Sequence, residues 1–158
     1  MFDELKLNEE MHKKILMIDD DADDAQIFEE ALSEMDASLA FYRAWDGQEA
    51  LDILFQNKIE NPDIIFLDVN MPGMNGWQFL KLIKEEESYK HIPVIVYSTA
   101  SLQREADIAK DLGAACFLTK PNDFKDVKMI ARMVVKYLNE DFPKLIEWCN
   151  EVQFQKPT

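Results

Sequence analysis

Five short apolar runs alternate with stretches whose apolar residues recur at helical spacing, and this alternation restricts the chain to a narrow set of folds. The first run, KKILMI over Lys13 to Ile18, is apolar nearly throughout and stops abruptly in acid. Such a run suits a strand buried on both faces of a sheet. Behind it, Ala25, Ile27, Phe28, Ala31, Leu32 and Met35 fall at helical spacing, so a strand is followed by a helix.

The same unit repeats along the chain. SLAFYRA reads as a strand, and DGQEALDILFQ as a helix with Asp46 at the N-cap and Ala50, Leu51 and Leu54 turned inward. Pro62 introduces a third strand, DIIFLD; MPGMNG is a loop, WQFLKLIKEEE a helix, and IPVIVYS a fourth strand. LQREADIAKDLG is a helix closed by Gly113, AACFLTK a fifth strand, and residues 123–138 a fifth helix. Phe124, Val127, Ile130, Ala131, Val134 and Leu138 line one face of that last helix. Strands that are each a near-continuous apolar run, alternating with helices, predict a parallel sheet with right-handed crossovers on both faces. The expected fold is a doubly wound α/β domain over residues 13–138, with an extension at 1–12 and another at 139–158.

In the C-terminal extension, Phe142, Leu145, Ile146, Cys149 and Val152 make an apolar stripe, and Pro143 suits a first helical turn. The stripe predicts an extra helix folded onto its own domain. Contact with a partner or a second copy is the competing use, and the sequence permits both monomer and dimer. On the fifth helix, Met129, Met133 and Tyr137 form a second stripe, read either as packing or as an interface.

Charge excludes several roles. Seventeen Lys plus Arg stand against 31 Asp plus Glu, a net charge of -14. A surface that acidic is repelled by phosphate backbones and anionic membranes, and no basic stripe offsets it locally. Neither nucleic acid nor a membrane is an expected partner. No apolar run approaches the roughly 20 residues that span a bilayer, and the acidic N-terminus lacks the marks of a signal peptide. A cytoplasmic location is therefore expected. Cys116 and Cys149, with no CxxC pair, read as reduced packing thiols.

In open parallel sheets, ligands bind beyond the carboxyl ends of the strands, and the distinctive polar residues of this chain collect there. Asp19 and Asp20 follow the first strand, Asp68 ends the third, Ser98 the fourth and Lys120 the fifth. Each alone would read as a cap or turn residue; together they share one rim. Three converging carboxylates raise one another's pKa unless a cation compensates them. With only oxygen ligands at hand, the pattern selects a hard ion, and a site that keeps several waters suits Mg²⁺ better than Ca²⁺. Asp21, Asp23 and Asp24 sit where the first helix begins, and read as solvated caps that meet its positive end. A cation, a lysine and a hydroxyl can stabilise phosphoryl charge while a carboxylate attacks phosphorus, and Asp68 on the middle strand is the natural nucleophile.

ILMIDDD, IIFLDVNMPGMNG, PVIVYSTA and GAACFLTKP, in this order and spacing, resemble a receiver domain of the bacterial response-regulator family across residues 13–138. The resemblance implies a flavodoxin-like fold of strand order 2-1-3-4-5. It makes Asp68 the residue phosphorylated by a sensor histidine kinase or a histidine phosphotransfer protein. Asp20 would ligate Mg²⁺ directly, Asp19 chiefly through water, and Asn70 through its backbone carbonyl. Ser98 takes the switch hydroxyl position, with Thr99 one residue beyond it, and Phe117 takes the switch aromatic position. Lys120 is the family's lysine, and its bond to Pro121 is commonly cis in such domains. Asn70 and Ala100 flank the path of an attacking water, and neither offers acid or base assistance to hydrolysis. Gly73 and Gly76 would let the chain turn after Asp68, and Trp77 reads as a rim aromatic.

The resemblance implies a stand-alone regulator that signals through phosphorylation-dependent contacts with a downstream protein and turns over no external substrate. A pseudo-receiver that binds partners without phosphorylation is a second reading, opposed by the complete set of five site residues. A haloacid-dehalogenase-like phosphohydrolase is a third, but it would carry a DxD motif after the first strand. A flavodoxin is weaker, because the acidic first loop repels phosphate.

Overall fold

Alternate residues of each inner strand go to opposite faces, which is why the apolar runs show no polar side. The computed structural model describes residues 12–71, 75–99 and 103–152. Strand β1 (Lys14–Ile18) pairs in parallel with β2 (Ala40–Ala44) on one side and β3 (Ile64–Leu67) on the other. Beyond β3 come β4 (Val94–Ser98) and β5 (Cys116–Thr119), giving the order 2-1-3-4-5. The sheet is flavodoxin-like, as expected.

Ile15, Met17, Ile64, Phe66, Ile95 and Tyr97 point to one face, against α1 (Ala22–Met35) and α5 (Phe124–Glu140). Their neighbours Leu16, Ile18, Ile65, Leu67, Val94 and Val96 point to the other, against α2 (Gly47–Phe55), α3 (Gly76–Glu85) and α4 (Gln103–Asp111). Strand β2 lies at an edge, so most of its residues are only half-buried.

Local chemistry sets the helix ends. Asp46 caps α2 by accepting the Glu49 N–H at 2.8 Å. A reciprocal capping box between Asn75 and Gln78 starts α3 at Gly76, one residue earlier than the sequence pattern indicated. Gly113 follows α4 with φ of +97°, the left-handed conformation that ends helices and that glycine adopts freely. The Lys120–Pro121 bond is trans, contrary to the cis expectation; trans is the lower-energy isomer of an X–Pro bond by about 0.5–1 kcal/mol.

The extension carries a further helix, α6 (Phe142–Glu151), joined to α5 through Asp141 alone, with Pro143 in its first turn. Leu145 and Cys149 are buried in the α1/α5-side core, and Phe142, Ile146 and Val152 pack at its margin. Helix α6 rests on α5 and β5, so its stripe is spent within the chain's own core. Cys149 hydrogen-bonds the Cys116 thiol, which this contact and burial push above its ordinary pKa. Met133 and Tyr137 also pack against this core, while Met129 is exposed. Trp77 packs at the margin of the opposite core. Gly73, Ala100 and residues 1–11 lie outside the described residues.

Candidate functional site

The sheet's own hydrogen bonds extend one residue past its strands and so fix the site. The Asp19 N–H donates to the Ala44 carbonyl at 3.0 Å, the Asp68 N–H to Ile18 at 2.9 Å, and the Lys120 N–H to Ser98 at 2.8 Å. Asp19, Asp68, Ser98 and Lys120 are the buried polar or charged side chains among the described residues. Buried charges persist when paired and hydrogen-bonded, and these are.

Asp68 is gripped on both oxygens. Its Oδ1 accepts the Ser98 hydroxyl at 3.2 Å and the Asn70 backbone N–H at 2.9 Å. Its Oδ2 lies 3.1 Å from Lys120 Nζ. The Asn70 side chain donates to Ser98 Oγ at 3.0 Å, so Asn70 orders the hydroxyl as well as the carboxylate. Thr99 is exposed and Phe117 half-buried on the α2–α4 side.

Lys120 gathers three carboxylates: Asp19 at 2.7 Å, Asp24 at 2.9 Å and Asp68 at 3.1 Å. Burial, the largest single influence, would lower its pKa, but the carboxylates of Asp19, Asp24 and Asp68 together outweigh it and hold it above the ordinary lysine value. Asp19 shows the opposite balance. Burial pushes its carboxyl up to about 6 even though Lys120 pulls it down.

The acid run divides much as its sequence indicated, with one correction. Asp21 caps α1, accepting the N–H groups of Asp23 at 3.0 Å and Asp24 at 3.1 Å. Asp23 is exposed near the helix start. Asp24 is not a solvated cap; its side chain turns in to pair with Lys120. Helical spacing carried a signal for its face, since Asp24 stands one turn before the buried Phe28 and beside the buried Ala25, but none for its partner Lys120. Arg43 was missed altogether: it donates to the Asp19 carbonyl at 3.3 and 3.1 Å and stacks 3.7 Å over the Trp45 ring. Its target is a backbone oxygen, for which no sequence pattern exists.

One oxygen each from Asp19, Asp20 and Asp68 lies within 4.8 Å of the others. Three carboxylates share the Lys120 ammonium, and Asp20 adds a fourth negative charge beside Asp19 and Asp68, an imbalance that a cation relieves. The donors are all hard oxygens, and Asp20 is exposed, which leaves a solvent side for bound water. The residues present fit a divalent metal.

A flavodoxin-like domain with an all-oxygen cation pocket at its strand ends is thus the class defined by fold and site. The chain belongs to the response regulator receiver domain family, whose model matches residues 15–132. It is 34% identical over 125 residues to "Response regulator Rcp1" of Synechocystis sp., a match covering 75% of this chain and 84% of that protein. It is also 34% identical over 85 residues to "Two-component response regulator ARR6" of Arabidopsis thaliana, covering 54% of this chain and 46% of ARR6. The chain thus spans less than half of ARR6. Among solved structures, the phosphorylated cyanobacterial phytochrome response regulator RcpA superposes with a TM-score of 0.76 at 29% identity, covering 82% of this chain and 95% of that one. The Mn²⁺-bound form of Rcp1 gives 0.72 at 25% identity, covering 91% and 99%. Receiver domains hold a divalent metal at this acidic pocket and work with histidine kinases or phosphotransfer proteins and with downstream targets. Among the described residues, no helix is long and apolar enough to cross a membrane.

Proposed function

We propose that this chain is a cytoplasmic response regulator receiver that accepts a phosphoryl group on Asp68 from a sensor histidine kinase or a histidine phosphotransfer protein. The observation that carries the reading is the grip on Asp68, with Ser98 and Asn70 on one oxygen and Lys120 on the other. A carboxylate so oriented is a positioned nucleophile.

An oxygen of Asp68 forms the new bond to phosphorus as the phosphorus–nitrogen bond of phosphohistidine breaks and the imidazole leaves with its electron pair. Lys120 meets the negative charge of the transferred group, and the Ser98 hydroxyl turns from the carboxylate to a phosphoryl oxygen. Asp19 and Asp20, with Asp68 and the Asn70 carbonyl, would hold Mg²⁺. When bound, Mg²⁺ supplies positive charge that neutralises the acidic pocket and the phosphoryl oxygens.

Movement of Ser98 and reburial of Phe117 would carry the change to a downstream protein. The chain turns over no external substrate and is expected to bind neither nucleic acid nor membrane. A homodimer is compatible with it. The Asn70 side chain engages Ser98 and offers neither acid nor base, so the phosphoryl state decays at its intrinsic rate. A half-life of seconds in purified protein would contradict this.

Acetyl phosphate with Mg²⁺, followed by intact mass, tests the reading. Wild type should gain one phosphoryl group, and the gain should be absent when a chelator is present from the start and absent in Asp68→Asn. No gain in wild type removes the mechanism, and an equal gain in Asp68→Asn removes the site assignment.

A further inference from the structure

We propose that Asp24 is a positioning residue that holds Lys120 toward α1 and competes with the phosphoryl group for it. This inference deepens the phosphoacceptor reading and rests on it.

A lysine ammonium has three N–H donors. Here each faces one carboxylate: Asp19 at 2.7 Å, Asp24 at 2.9 Å and Asp68 at 3.1 Å. The ammonium is saturated, and a new acceptor must displace one of the three. Two of the partners change their own state in the reaction. Asp68 stops being a carboxylate when it becomes an acyl phosphate, and Asp19 belongs to the oxygen cluster that a cation would draw on. Asp24 lies outside that cluster and undergoes neither change. It therefore remains as the standing competitor for Lys120.

The Asp24 side chain is 36% exposed and that of Lys120 only 6%, so solvent screens their attraction incompletely. Asp24 thus acts in two ways. It keeps the ammonium from turning fully to the phosphoryl oxygens, and it adds a negative charge beside an incoming anion. Toward a cation its effect has the opposite sign, because its charge attracts the metal and it takes a share of Lys120 that would otherwise go to Asp19 and Asp68. Asp24 favours the metal-loaded, unphosphorylated state and opposes the phosphorylated one.

That opposition of sign supplies the test. Asp24→Asn keeps the size of the side chain and removes its charge, and Asp24→Glu restores the charge. Calorimetric titration with Mg²⁺ alone, and with beryllofluoride as phosphoryl analogue at saturating Mg²⁺, reads the two effects separately. In Asp24→Asn, beryllofluoride should bind about three- to tenfold more tightly and Mg²⁺ about two- to fivefold more weakly, the scale of one partly screened charge nearby. Asp24→Glu should return both values toward wild type. A residue that only stabilised the first turn of α1 would move both constants in the same direction. Parallel shifts, or no shift in either, overturn the proposal. If wild type binds beryllofluoride and Asp24→Asn is indistinguishable from it, this inference alone fails. If wild type binds none, the phosphoacceptor reading fails first.

Discussion

Lys120 Nζ lies 2.7 Å from Asp19 Oδ2, an ion pair that joins the end of β5 to the end of β1 with side chains 6% and 0% exposed. Truncating one member of such a pair leaves the other buried without compensation. Lys120→Met should therefore destabilise the metal-free protein by about 2–4 kcal/mol. Urea denaturation should show the loss, and saturating Mg²⁺ should recover part of it by replacing the missing positive charge.

The raised pKa of Asp19, about 6 against an ordinary 3.8, makes metal-free stability depend on pH. Between about pH 4 and 6 the folded state holds a proton that the unfolded state has lost. The associated stability is present below about pH 4 and is lost as pH rises through about 6. A cation competes with that proton, so Mg²⁺ affinity should fall by up to about tenfold per pH unit below 6. Denaturation midpoints and Mg²⁺ titrations across pH 4–7 check both slopes, and a flat profile in both would show that Asp19 titrates normally.

Gly76 begins α3 directly against the strand end that carries Asp68. A Cβ there would stand 2.5 Å from the Val69 Cα and 2.6 Å from the Asp68 carbonyl oxygen, both backbone atoms that cannot rotate away. Its need for glycine is close approach rather than the turn its sequence position implied. Gly76→Ala should cost about 2 kcal/mol or more and weaken Mg²⁺ binding. Thermal melting and Mg²⁺ titration of this variant beside wild type measure the two effects.

Leu145 places α6 within the main core, fully buried between α5 and β5. Leu145→Ala should destabilise by about 2–4 kcal/mol, the usual cost of a cavity at a packed leucine. A two-state urea transition shifted by that amount would show that the extra helix unfolds with the domain. A separate early transition would show that it does not.

Much of this is legible in the sequence alone. The apolar character of ILMI, IIFL and VIVY follows from burial on both faces, and the polar residues that follow them mark one rim because every strand runs the same way. The cap roles of Asp21 and Asp46 were equally plain, because capping is local. Asp24, Arg43 and the Asn70 side chain escaped for the converse reason. Each acts on a group brought to it by another strand, and Arg43 acts on a backbone oxygen that any residue would present.

The sequence by itself determined the order of elements, the doubly wound sheet and the identity of the strand-end residues, because periodicity and capping are short-range physics. Only the tertiary structure decided how the charges pair. Which carboxylates reach Lys120 depends on the packing of α1 against the sheet. So does the burial that lifts Asp19, since desolvation belongs to the assembled fold rather than to any one segment.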